Sequence, residues 1–150
     1  MSEFGKVFVA YGRFGAGGRR IARSESPDFV SWSPSRLVFS ADVIDTKSRG
    51  GRPQFYGMGT SIYEGAYIGL PWMFWENSSN RLDVQLASSR DGIHWRRSGD
   101  RKTLIPNGPK GTWDGGCIFG GLDLIQLPGN RIALPYSGYL YPHKFPRNNN

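Results

Sequence analysis

A single cysteine, Cys117, occurs in 150 residues. It excludes an internal disulfide and any metal site built on paired cysteines, and no metal-ligating pattern is expected. Long hydrophobic runs are also missing. No stretch approaches the roughly 20 apolar residues that span a bilayer, and Met1-Ser2-Glu3-Phe4-Gly5-Lys6 lacks the apolar core of a signal peptide. A soluble protein with no membrane partner, placed in the cytoplasm, is the expectation. Basic tracts are absent too. The formal charge is +7, but Arg and Lys come in ones and twos, as in Arg19-Arg20, Arg96-Arg97 and Arg101-Lys102. Scattered charge reads as a solvated basic surface and argues against a nucleic-acid partner. The glycine-rich stretch from Gly12 to Gly18 is not followed by Gly-Lys-Ser/Thr, so it is no phosphate-binding loop, and no cofactor is expected.

What is present points to strands. The chain holds 21 Gly and 10 Pro without a collagen period, and 14% of it is aromatic. Many turns together with many aromatics favour short strands on half-buried surfaces, hence an all-β fold. Val7-Phe8-Val9-Ala10-Tyr11 and Arg20-Ile21-Ala22-Arg23-Ser24 read as strands. The run from 33 to 53 reads as irregular apart from Leu37-Val38-Phe39. Residues 55–62 form the next strand, Tyr63-Glu64-Gly65 a turn, and residues 66–75 a strongly apolar strand in which Pro71 predicts a bulge or an edge. Leu82, Val84 and Leu86 alternate with Asp83, Gln85 and Ala87, which predicts a strand with one wet face. Residues 118–127 and 131–136 read as a last pair joined by Pro128-Gly129-Asn130.

Two segments share one frame. Ser26-Pro27-Asp28-Phe29-Val30-Ser31-Trp32 and Ser89-Arg90-Asp91-Gly92-Ile93-His94-Trp95 both read Ser-x-Asp-x-x-x-Trp, 63 positions apart. Tyr56-Gly57 matches Phe119-Gly120 at the same spacing, and Ile68-Gly69-Leu70-Pro71-Trp72 matches Ile132-Ala133-Leu134-Pro135-Tyr136 at 64. A repeat of about 63 residues with four strands per unit predicts β-propeller blades in an incomplete ring. The expected division is a partial blade over 1–54, a full blade over 55–112 and a partial blade over 113–150. Ser26, Asp28, Trp32, Ser89, Asp91 and Trp95 are then turn residues, with each Asp accepting backbone N–H groups.

The repeated turn resembles the blade signature of five-bladed propellers in the clan that contains glycoside hydrolase families 32, 43 and 68. Phe55-Tyr56-Gly57-Met58, residues 63–69 and Pro142-His143-Lys144-Phe145-Pro146-Arg147 resemble a bacterial branch of that group described only as glycosyl-hydrolase-like. The resemblance implies a carbohydrate substrate and hydrolysis or transfer at a glycosidic bond by carboxylates in a central pocket. The Asn-Asp-Pro-Asn and Arg-Asp-Pro motifs of the group do not occur.

Glycoside hydrolysis needs two carboxyls across the scissile bond. In the implied topology, the loops entering first strands and the loops between second and third strands rim the pocket. Asp114, before a first strand and beside Trp113, is the leading candidate, with Asp45 and Glu76 behind it. Trp113 and Trp75 are candidate stacking platforms, with Tyr139 as a further rim aromatic. His143, Lys144 and Arg147 are candidate donors to hydroxyls, a carboxylate or a phosphate. The alternative is a noncatalytic propeller that binds glycans or a protein partner through the rim aromatics.

Overall fold

The computed structural model describes residues 7–15, 17–48, 53–76 and 78–145. They build three antiparallel-rich sheets and almost no helix, an all-β architecture. The first sheet is a meander of β1 (Phe8–Phe14), β2 (Arg20–Ser26) and β3 (Arg36–Phe39). The second starts with β4 (Gln54–Tyr63) and β5 (Ala66–Phe74), continues through β6 (Leu82–Gln85), β7 (Ala87–Ser89), β8 (Arg96–Arg97) and β9 (Thr103–Ile105), and also takes in β10 (Cys117–Gly120) and β13 (Tyr136–Tyr139). A small hairpin of β11 (Ile125–Leu127) and β12 (Arg131–Ala133) stands apart. No helix among the described residues is long and apolar enough to cross a membrane.

The β4–β5 hairpin is the centre of the molecule. Glu64 and Gly65 both have positive φ, 47° and 74°, and a two-residue loop with two positive φ angles matches the twist of the strands it joins. The pairing shifts by one residue between Phe55 and Gly57. This bulge turns Tyr56 aside, and the ring of Trp72 lies against Gly57 where a Cβ would stand. Phe55, Met73, Phe74, Leu70, Leu82, Val84 and Ile118 are buried along both sides of the hairpin. Full burial of such side chains contributes about 1.5–3 kcal/mol each.

Pro71 lies inside a strand paired on both sides, with β4 on one flank and β6 and β7 on the other. It therefore marks neither an edge nor the bulge. It lies instead beside an interruption: the ladder breaks between Trp72↔Val84 and Gly69↔Ala87, where the third strand divides into β6 and β7. A residue without an N–H fits where a ladder bond is already missing.

Three other expectations need correction. The third strand has no wet face, since Asp83 and Gln85 are as buried as Leu82 and Val84. The polar face is covered by polar partners. Asp83 Oδ2 accepts from Trp75 Nε1 at 3.0 Å and Thr103 Oγ1 at 3.1 Å, and Gln85 Oε1 accepts from Arg97 at 3.3 Å. The irregular stretch contains a short helix, α1 (Val43–Ser48), started by Asp42, whose Oδ1 accepts the Ile44 N–H at 3.0 Å. Residues 118–127 are not one strand. The chain leaves β10 at Gly121 and bonds to β4, with Thr60 N–H donating to the Leu122 carbonyl at 3.1 Å and Leu124 N–H to Ser61 Oγ at 2.9 Å. Gly59 permits this approach, because a Cβ there would collide with the Gly121 carbonyl.

The repeat is visible in the connectivity. β4, β5, β7 and β8 follow one another as antiparallel neighbours, and residues 89–95 join the last two. Residues 26–32 occupy the same place between β2 and β3.

Candidate functional site

The repeated turn is held by its own hydrogen bonds. Asp28 Oδ1 accepts from Val30 and Ser31 N–H at 2.8 and 2.7 Å, and Asp91 Oδ1 accepts from Ile93 and His94 N–H at 2.8 Å each. Ser26 and Ser89 hydroxyls donate to the same carboxylates, at 3.0 and 2.9 Å. Trp32 and Trp95 each return an indole N–H to the turn, at 3.2 Å. These bonds favour the ionised carboxylate. Ser31 and Val30 hold Asp28 down to about 2, and Asp91 is held lower still, first by the His94 ring and then by the His94 and Ile93 N–H groups. The second turn also docks on the first sheet, since Gly92 O accepts from Tyr11 Oη at 2.8 Å and Asp91 O from Arg23 at 3.0 Å. Its tryptophan packs edge-on against Tyr11 and Tyr67.

A different set of residues gathers where β4 starts and β5 ends. Arg19 precedes β2, Gln54 opens β4, Tyr56 is the bulge residue, Glu76 follows β5, and His143 and Lys144 lie beyond β13. Glu76 accepts from Lys144 Nζ and from Gln54 Nε2, and Gln54 Oε1 accepts from Arg19 at 2.6 Å. The Arg19 guanidinium sits 5.1 Å from the Tyr56 ring centre and 5.3 Å from that of Phe74, and Arg13 lies 5.6 Å from Tyr56 on the same floor. His143 meets Tyr56 and Phe74 edge-on at 5.1 and 4.9 Å, and its backbone N–H donates to Asn80 O at 2.8 Å. Burial, then the positive charges of Arg19 and Lys144, push His143 below its usual value. The Lys144 bond pulls Glu76 below the usual carboxylate range. The cluster thus holds an ionised carboxylate, a neutral imidazole and three cations over an aromatic floor.

Asp114 lies in the turn before β10. Its Oδ1 accepts from Thr112 Oγ1 at 2.9 Å, and Tyr136 Oη stands 3.5 Å from Oδ2. Trp113 is 60% exposed and stacks on Tyr136, with centroids 5.5 Å apart and planes 22° from parallel. The indole lies over Gly138, where a side chain would strike it. Trp113 and Tyr136 thereby form an open shelf with a carboxylate at its edge. Tyr139 is exposed nearby on the same strand as Tyr136 and meets Phe119 edge-on.

Two candidates lie elsewhere. Asp45 is 2% exposed, and both of its oxygens take the Arg97 guanidinium at 2.6 Å, with Arg101 at 3.1 Å. Its carboxylate is enclosed between α1 and the second sheet. Trp75 is 4% exposed. Its ring belongs to the core with Ile21, Phe55, Met58 and Met73, so it offers no open face for stacking. Arg147 lies outside the described residues. Cys117 is buried, and burial pushes its thiol up, which keeps it an inert core residue. Among the described residues, no three His, Cys, Asp or Glu side chains gather as a metal site.

Sequence reasoning missed Arg13, Arg19, Gln54 and Tyr56. The one signal for Tyr56 was its match to Phe119 in the repeat, and both aromatics do line this floor, 5.8 Å apart.

No protein-family model and no curated protein matches the chain. Three solved structures share its fold. One is an N-acetylgalactosamine deacetylase from F. plautii in complex with blood group B trisaccharide, with a TM-score of 0.71 and 19% identity over 91% of this chain and 38% of that one. Another is described as a glycoside hydrolase, with a TM-score of 0.54 and 17% identity over 96% of this chain and 44% of that one. The third is a BT0996 RGII complex, with a TM-score of 0.51 and 14% identity over 93% of this chain and 42% of that one. The chain therefore spans less than half the length of each.

Proposed function

We propose that this chain is part of a β-propeller of the glycoside-hydrolase-like kind and belongs to a carbohydrate-active enzyme that works at a glycosidic bond. On this reading, residues 1–54, 55–112 and 113–150 are successive blades, partial, full and partial. The observation that carries the functional reading is the meeting of Glu76, His143, Lys144, Arg19 and Tyr56 from four separate segments. The open Trp113–Tyr136 shelf and Asp114 support it. Aromatic faces take the C–H face of a sugar ring, and charged hydrogen-bonding groups fix its hydroxyls. The neighbours in fold, one of them holding a trisaccharide, support the same direction.

The chemistry divides by protonation. An ionised Glu76 beside Lys144 suits the nucleophile or general base. Asp114, at the edge of the Trp113–Tyr136 shelf, is the candidate for the second carboxyl, with the other blades as a further source.

The open Trp113–Tyr136 shelf and the exposed Tyr139 favour, as the second reading, a noncatalytic role that binds glycans through rim aromatics. The test is turnover on fructosides, arabinosides and mannosides, with Glu76→Gln and Asp114→Asn alongside. Loss of a positioned acid or base lowers the rate by about 100-fold or more. Unchanged turnover in both variants removes these carboxyls from the mechanism, and glycan binding without turnover selects the second reading.

A further inference from the structure

The Glu76 cluster holds more positive charge than its own acid can neutralise. Glu76 is engaged by Lys144 and by the Gln54 amide. Arg19 donates to the neutral Gln54 oxygen. Arg13 touches the same floor only through the Tyr56 ring. Among the described residues, neither guanidinium has a carboxylate within salt-bridge distance. Both stand within 6 Å of one aromatic centre, and Phe119 and the exposed Tyr139 continue that aromatic surface beyond Tyr56.

We propose that this site takes an acidic sugar, a pyranose carrying a ring carboxylate, with the carboxylate on the Arg13 and Arg19 guanidiniums that lie over Tyr56 and the sugar extending towards the exposed Tyr139. The inference rests on the carbohydrate reading above and names the class of sugar. Arginine suits the task because its planar fork of donors matches a carboxylate and stays charged at every working pH. The neutral His143 adds a hydrogen-bonding nitrogen without a further full charge. A free phosphate would satisfy the cations but leave the exposed Tyr139 uncovered. A neutral sugar would offer the two guanidiniums no opposite charge.

Isothermal titration of the full chain compares three probes: trigalacturonate, the same trisaccharide with its carboxyls reduced to alcohols, and inorganic phosphate. One charge-assisted contact separates the first two by about tenfold or more in affinity. The preference falls as salt rises, because part of the attraction is screened. Arg19→Gln and Arg13→Gln each remove most of the preference. Arg13 is exposed, so its variant tests the idea if the Arg19 variant folds poorly, and circular dichroism of both reports folding. Equal affinity for the acidic and reduced trisaccharides overturns the acidic-sugar inference and leaves the carbohydrate reading standing. Binding of phosphate alone, or of none of the three, overturns the acidic-sugar inference, and the carbohydrate reading is then decided by its own turnover test. A preference that survives intact in folded Arg13→Gln and Arg19→Gln places the carboxylate elsewhere and overturns the assignment of this site.

Discussion

Removing the Asp45 carboxylate tests how the first connector is fastened to the second sheet. Asp45→Ala deletes an acid whose two oxygens both meet Arg97 at 2.6 Å. The two side chains are 2% and 3% exposed, and the guanidinium also lies 5.5 Å over the Phe55 ring and donates to Gln85. The substitution therefore strands a cation in the core with no room to reach water. Breaking a buried pair from one side costs about 3–5 kcal/mol, a large part of the roughly 5–15 kcal/mol that holds an ordinary domain together. With a urea slope near 2 kcal/mol/M, the unfolding midpoint falls by about 2 M. Asp42→Asn is the control. Its pair with Arg101 is half exposed on the acid side, and Asn keeps the acceptor that caps α1. Loss of an exposed pair costs about 0–1 kcal/mol. The double variant Asp45→Leu with Arg97→Met removes both charges and recovers much of the loss. Equal midpoints for Asp45→Ala and Asp42→Asn would refute the claim that the Asp45 pair is buried and structural.

Three further outcomes follow from the same geometry. The Asp28 and Asp42 carboxyls are held near 2 in the folded protein, against about 3.9 in an unfolded chain. Their stabilisation is complete above that unfolded value and is lost as pH falls from about 4 towards 2, so the thermal midpoint declines through this window, and less so in Asp28→Asn. A decline that is identical in the variant contradicts the role given to Asp28. Gly59→Ala drives a methyl group into the Gly121 carbonyl, and overpacking of this kind costs about 1–3 kcal/mol in a denaturant titration, whereas Gly65→Asn, at a positive φ of 74°, changes stability by much less. Trp113→Ala leaves the unfolding free energy within about 0.5 kcal/mol, because the ring is mostly in solvent. The same variant weakens glycan binding, and unchanged affinity by titration would remove the shelf from the site.

Much of the strand order was legible because the chain punctuates itself. Glu64-Gly65 marks the central hairpin, and the two Ser-x-Asp-x-x-x-Trp segments fall at the same junction in both sheets. Patterning failed where polar residues are buried against distant polar partners. Asp83 and Gln85 alternate like a wet face, but their partners Thr103 and Arg97 lie 20 and 12 positions away. The helix α1 escaped notice because six residues that include Val43, Ile44 and Thr46 carry little helical preference, and a cap together with the Asp45–Arg97 pair holds it. The Glu76 cluster was half legible. Glu76, His143 and Lys144 were singled out by their loops. Arg19 and Gln54 join them only through hydrogen bonds that span 35 and 22 positions, and Lys144 reaches Glu76 across 68. No local pattern encodes such meetings.

The central claim is that sugars bind where β4 starts and β5 ends. Hydrogen exchange of the full chain with and without a bound oligosaccharide tests it most directly. The account predicts protection confined to residues 13–14, 18–20, 54–56, 74–76, 113–116 and 141–145. Protection at residues 89–95, with none at Glu76 or His143, would contradict it.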